Sequence, residues 1–323
     1  MRKFKVRNVG SDHGDCFFIE IENSIWKSII MVDGRSGEKK KFLNEISEVV
    51  LEYGHIDYLV ITHVDQDHLL GVKKLFERGV TDPVRKAFEK TVILYNYVTK
   101  PVVSYRQAKE FEEVILDNCV ISTVLKNYTL YSSPCLKIIS SEMRRNLDPR
   151  EQGEYAVMTL LHPKREGIEA VYKDYMKWDR NHDDSADSSL INQHSIVFLL
   201  EYGDKCALFT GDCEMKQVIE EINQLKNMRQ EEEYRSIDLI KISHHGACYN
   251  NVGLPNFAGN HKCTQYYVTG KEKWDEYHPS KSLLKEIANK VGKEIKVYTH
   301  VNIESEDGYQ IISQDELILI GEE

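Results

Sequence analysis

The 323-residue chain predicts an α/β sandwich, on three observations. Short β-rich segments gather toward the two ends of the chain. Segments of helical periodicity separate strands within each group. Several continuously apolar strands end in turns rich in Asp and His. At 41% hydrophobic residues the chain is long enough to bury a substantial core. It shows no fixed-period repeat, heptad run or Pro-rich linker, so one domain over 1–323 is expected, with an irregular, insertion-rich middle region at about 81–190.

The elements follow in order. "KFKVRNV", "DCFFIEIE" and "SIIMVDG" read as strands, with Gly10, Gly14 and Gly34 as turn points. Apolar spacing over Lys40 to Tyr53 predicts a helix. "IDYLVIT" is a continuous apolar run, as in a strand buried on both faces, and "HLLGVKKLFERG" then takes helical periodicity. In the middle region a strand is expected at "TVILYNYV", a charged helix at Tyr105 to Leu116 and an exposed loop at "WDRNHDDSADSS". "SIVFLLEYG" and "KCALFTGD" predict a hairpin turning at Tyr202 to Lys205, followed by a helix from Glu214 to about Glu232 and a strand "IDLIKIS". The chain closes with "TQYYVTG", a helix from Ser280 to Val291, "IKVYTH", "GYQIIS" and "ELILIG".

A formal net charge of −10 and a pI near 5.7 give no global electrostatic footprint for nucleic acid. A polyanion would need a local basic patch or bound cations. The N-terminus carries no charged-then-apolar signal, and no apolar run approaches a bilayer-spanning length, so a soluble cytoplasmic protein without a membrane partner is expected. The seven cysteines are odd in number, scattered and free of any C-x-x-C pair, as suits reduced thiols. Cys213, beside an acidic candidate, reads as a small core filler.

The chemistry-bearing stretch is "ITHVDQDHLLGV", on a strand-to-helix loop. His63, Asp65, Asp67 and His68 could ligate metal there, or Asp67 could merely cap the following helix. Two further strand ends shift the balance toward metal: "LFTGD" places Asp212 after one buried strand and "LIKISHHG" places His244 and His245 after another. Strand alternation would send those two histidines to opposite faces, one to metal and the other to substrate or a supporting contact.

The series "GDCFFIEI", "MVDG", "ITHVDQDHLLGV", "INQHSIVFLLEYG", "ALFTGDCE", "IDLIKISHHG" and "YHPSKSLLKEI" resembles the metallo-β-lactamase fold, in its ComEC C-terminal-domain-like branch. The resemblance implies a four-layer αβ/βα sandwich with one or two divalent metal ions (Zn or Mn) at the rim, bridged by a hydroxide and by Asp212. It implies that His63, Asp65 and Asp212 hold the first ion, and Asp67, His68, Asp212 and His244 or His245 the second. Asn192 and Ser195 fit the branch where many relatives supply another His. His278 in "YHPS" is expected to face substrate rather than serve only as a helix entry residue, and Glu214 to orient a ligand or favour the start of its helix. His162 is expected to be a hydrogen-bonded structural residue.

Paired cations suit phosphodiester hydrolysis, so a phosphodiesterase or nuclease is the leading expectation, with Asp67, Asp212, His245 and His278 as catalytic residues and a nucleic acid or small phosphodiester as substrate. A lactone, thioester or β-lactam hydrolase would use the same site. A third possibility is a sensor or effector subunit of a bacterial defence system, docking a protein partner through the middle region.

Overall fold

The computed structural model describes residues 2–9, 14–36, 40–79, 81–95, 111, 123–125, 135–138, 155–164, 166–171, 173–174, 188–229, 236–270 and 278–321. In chain order these form β1 (Lys3–Asn8), β2 (Phe17–Glu22), β3 (Lys27–Val32), α1 (Lys40–Tyr53), β4 (Tyr58–Val60), α2 (Gln66–Phe76), α3 (Pro83–Lys86), β5 (Val92–Leu94), β6 (Thr123–Leu125), β7 (Cys135–Ile138) and β8 (Ala156–His162). Then come α4 (Ser188–Gln193), β9 (Val197–Tyr202), β10 (Lys205–Phe209), α5 (Met215–Met228), β11 (Leu239–Lys241), α6 (Leu254–His261), β12 (Gln265–Tyr267), α7 (Lys281–Val291), β13 (Ile295–Tyr298), β14 (Tyr309–Ile312) and β15 (Glu316–Ile320).

Two mixed sheets result. One runs β15-β1-β2-β3-β4-β5-β6 and the other β14-β13-β12-β11-β10-β9-β8-β7. In the first, β1 to β3 pair antiparallel and β3 to β6 parallel. In the second, β7 to β10 pair antiparallel and β10 to β14 parallel. The C-terminal strand β15 crosses back to pair antiparallel with β1, Val6 opposite Leu317.

Side-chain alternation builds the four layers. Phe17, Ile19 and Ile21 of β2 meet Phe198, Leu200 and Tyr202 of β9 between the sheets. Phe18 of β2 turns the other way, onto Ile46, Val49 and Val50 of α1 and Leu69 and Val72 of α2. Val197 and Leu199 of β9 likewise face outward, onto Val218 and Ile222 of α5 and Leu284 and Ile287 of α7. Helix, sheet, sheet, helix is therefore the order of layers, the αβ/βα sandwich expected from the sequence.

The segment 81–190 supplies, in its described residues, the strands β5 and β6 of the first sheet and β7 and β8 of the second. The strand expected at "TVILYNYV" is β5, three residues long. The helix expected at Tyr105 to Leu116 lies outside the described residues except for 111, and so does most of the "WDRNHDDSADSS" loop. The two-residue β9–β10 hairpin turns where expected, with Tyr202 opposite Lys205. Among the described residues no helix is long and apolar enough to cross a membrane.

Candidate metal centre

The parallel strands of both sheets release their C-terminal ends at one rim, the place where open α/β sheets present their loops to ligands. β3 leads into Asp33, β4 into Thr62 and His63, β10 into Asp212, β11 into His244 and His245, and β12 into Thr269. Asp15 precedes β2 on the same rim. The Ile196 N–H donates to Thr62 O at 2.7 Å and ties the two halves together.

Three imidazoles are aimed by hydrogen bonds to the nitrogen that faces away from the centre. His63 Nδ1 lies 3.0 Å from Thr62 Oγ1, and that hydroxyl donates to Asp33 Oδ2. His245 Nδ1 lies 2.9 Å from Thr269 Oγ1, whose hydroxyl donates to Asp15 Oδ1 at 2.6 Å. The two relays have the same form, His to Thr to Asp. His68 Nδ1 reaches Asp33 Oδ2 directly at 2.8 Å. Asp33, buried, also accepts the Thr62 N–H at 2.7 Å, so it anchors two of the three rings.

Inward, ligand atoms of His63, His68 and Asp212 lie within 4.8 Å of one another, as do those of Asp67, His68 and His245, and of Asp15, Asp33 and His68. Asp67 Oδ2 is 3.2 Å from His245 Nε2 and 3.8 Å from His68 Nε2. Asp212 Oδ2 is 3.7 Å from both His68 Nε2 and His245 Nε2, and 3.3 Å from His244 Nδ1. His68 Nε2 is buried and has no hydrogen-bond partner. A buried ring nitrogen without a partner, between two carboxylates that approach no closer than 3.7 Å, fits a divalent cation. Imidazole and carboxylate donors together are ligands such a cation takes.

Electrostatics follow from the crowding. Burial opposes charge on His68, but Asp212, Asp67, Asp33 and Asp15 around it hold its pKa well above the ordinary value. His63, also buried and next to His68, is pushed down to about 3. Burial works against ionised Asp212, yet His245, His68 and Lys241 keep it well below the usual carboxylate range. Asp65 is pushed up to about 7 by burial and the neighbouring charge of Asp67.

The structure brings together five of the residues singled out in the sequence: His63, Asp67, His68, Asp212 and His245. Asp65 and His244 stand outside the three groups. Asp65 occupies the N-cap position of α2, with no side-chain cap bond. His244 is half-buried, its Nδ1 3.3 Å from the Asn192 amide. The expected strand alternation at His244 and His245 does not occur. β11 ends at Lys241, and both histidines take left-handed backbone, φ 47° and 52°, in a 3-10 turn. A turn, not a pleat, separates their rings, 5.9 Å apart.

Ser195 Oγ accepts the Asp212 N–H at 3.2 Å and donates to Asn192 O at 2.9 Å. Glu214 sits at the N-cap position of α5, where Gln193 Nε2 donates to it at 3.4 Å. His278 lies beside His244, ring centroids 6.0 Å apart; the helix cap is Ser280, whose Oγ accepts from the Leu283 N–H. His162 donates from Nε2 to Gln193 O at 2.9 Å, a structural contact as expected. Cys213 is a buried core residue whose thiol burial pushes up.

Sequence reasoning assigned no role to Asp15, Asp33, Thr62, Thr269 or Lys241. Lys241 is 1% exposed, and its ammonium donates to Asp15 Oδ2 at 2.5 Å, Gly211 O at 2.8 Å and Asp212 Oδ1 at 3.4 Å. Those three acceptors use its three N–H groups. A lysine inside the apolar run "IDLIKIS" was the signal that could have found it.

No family model and no curated protein matches the chain. Among solved structures it is similar to the metallo-β-lactamase fold protein YhfI from Bacillus subtilis, at 9% identity and a TM-score of 0.45 over 98% of this chain and 99% of that one. It is similar to Zn²⁺-bound PqqB from Methylobacterium extorquens, at 10% identity and 0.43 over 98% and 99%. Unliganded yeast PDE1 gives 10% identity and 0.42 over 99% and 100%. At such scores these similarities carry nothing about substrate or chemistry, and the fold rests on the sheet order and layers described above.

Proposed function

We propose that the chain is a metal-dependent hydrolase whose substrate is a phosphodiester, a reading consistent with the ComEC-like resemblance of its H-x-D-x-D-H loop. The observation that carries it is Asp212 Oδ2, which faces three imidazoles at 3.3 to 3.7 Å, among them His68, whose buried Nε2 makes no hydrogen bond. His63, Asp67, His68, Asp212 and His245 would hold the ion or ions. Divalent metal there supplies an activated water and positive charge against developing phosphoryl charge.

The chain's own groups do the rest. Asp33 and Asp15, through the threonines, keep the imidazole Nε2 atoms turned inward. Lys241 holds Asp212 Oδ1 and leaves Oδ2 facing the centre. His244, 3.3 Å from Asp212 Oδ2, and His278 beside it would face a phosphoryl oxygen or the departing alkoxide.

The test is metal analysis of protein purified without added metal, then turnover of a small phosphodiester beside a lactone panel. Bound divalent metal with phosphodiester cleavage, both lost in Asp212→Ala, is the expected result. Lactone cleavage alone would move the reaction class. An Asp212→Ala variant with full metal content and activity would remove Asp212 from the centre.

A further inference from the structure

Beyond His244 the rim carries an exposed apolar ledge that metal binding does not explain. Tyr249, 69% exposed, opens a second 3-10 turn, Tyr249–Asn251, flanked by exposed Cys248 and by Val252, 65% exposed. Its ring centroid is 5.9 Å from that of His244, and His244 Nδ1 is 3.3 Å from Asp212 Oδ2. The order outward is thus carboxylate, imidazole, phenol.

The turn is stapled to the backbone of the centre. Buried Asn251 donates to Ser243 O at 2.9 Å and Ala247 O at 2.7 Å, and Asn250 donates to Asp212 O at 3.5 Å. Tyr249 therefore keeps its place relative to Asp212, although its ring faces solvent.

We propose that Tyr249 is the stacking platform for an unpaired nucleobase next to the scissile phosphate, so that the substrate class is single-stranded nucleic acid or its terminal nucleotides. This rests on the phosphodiesterase reading. A chain of net charge −10 has little long-range attraction for a polyanion, so the ring would act at short range, on the π-face that every base presents, beside metal ions that offset the phosphate charge. Within a duplex each base face is already covered by its neighbours, which leaves the unpaired base as the partner for an exposed ring.

Two measurements test it on the full chain loaded with Mn²⁺. The first compares thymidine 5′-(p-nitrophenyl phosphate) with methyl p-nitrophenyl phosphate, which share a leaving group and differ in having a nucleoside or a methyl group on the other ester oxygen. In Tyr249→Ala the ratio of their kcat/KM values should fall about 10-fold, the loss of one stacked base, while Tyr249→Phe and Tyr249→Trp keep the wild-type ratio. The second titrates Tyr249→Trp with oligothymidylate, single-stranded or annealed to its complement. Quenching beyond that of wild type, by the single strand only, is expected. Quenching without any phosphodiester turnover would keep the platform and sink the hydrolase reading. Turnover with an unchanged ratio and no added quenching would sink the platform alone, and so would equal quenching by the duplex.

Discussion

At Asp212 the two carboxylate oxygens face different partners: Oδ1 accepts a hydrogen bond from the Lys241 ammonium, while Oδ2 looks toward His68, His244 and His245. Lys241→Met should therefore do two kinds of damage. It leaves Asp15 buried without its cation, a loss of about 3–5 kcal/mol in denaturant unfolding, and it frees Asp212 to rotate, which should lower bound metal. Adding Asp15→Asn should restore much of the stability but not the metal; metal recovered with stability would make Lys241 purely structural. Asp65 belongs to a different experiment. Asp65 stands outside the three groups, at the start of α2; if metal draws it in as an oxygen donor, which favours harder ions, Mn²⁺ should support faster phosphodiester cleavage than Zn²⁺, and Asp65→His should shift that ranking toward Zn²⁺. An unchanged ranking would leave Asp65 as the residue that starts α2. His63, Asp67, His68 and Asp212 were legible because each follows an apolar strand in a short polar turn. Asp15, Asp33 and Thr269 carry no such local mark, since a lone Asp or Thr beside a strand looks like any turn, and their roles arise only where separate strands converge.

Between β3 and α2 the backbones themselves touch. The Gly34 N–H donates to His68 O at 2.7 Å and the Gly71 N–H to Arg35 O at 2.9 Å, and a Cβ at Gly71 would stand 1.8 Å from Gly34 O. This close crossing is what brings Asp33 to His68. Gly71→Ala should push α2 off the β3 loop, destabilise by about 1–3 kcal/mol as overpacking does, and reduce metal content along with the Asp33–His68 contact. Full metal retention would uncouple the crossing from the centre. On the other side of the loop Gly14, φ 105°, passes with its Cβ direction 1.7 Å from Asp67 O, so it too admits no side chain. Nothing in "HLLGVKK" marks its glycine as a contact, because close approach depends on a partner 37 residues away. Long strands and α1, α5 and α7 were legible from periodicity. The short helices α3, α4 and α6 were not, one or two turns being too few to establish a period.

For the molecule as a whole, buried His162, away from the centre, contributes to the response to acid. Burial, with His194 adding to it, pushes His162 down to about 3. The unfolded chain takes up this proton below pH ~6.5 and the folded protein does not until about 3, so stability is fully present above pH ~6.5 and falls as pH drops between these values, by about 1.4 kcal/mol per unit for one such group. His162→Gln, which keeps a donor for Gln193 O, should flatten the acid limb of stability against pH by one proton; an unaltered slope would show that His162 titrates normally. The last strand has a consequence of another sort. β15 reaches β1 across nearly the whole sequence, with Lys5 Nζ 3.0 Å from Glu316 Oε1. While the chain is being synthesised, β1 thus waits as a bare edge until residues 316–320 emerge, open to pairing with strands of other nascent chains. Any truncation that removes this segment would make that interval permanent, and the cost would be paid in aggregation before it was seen at the rim.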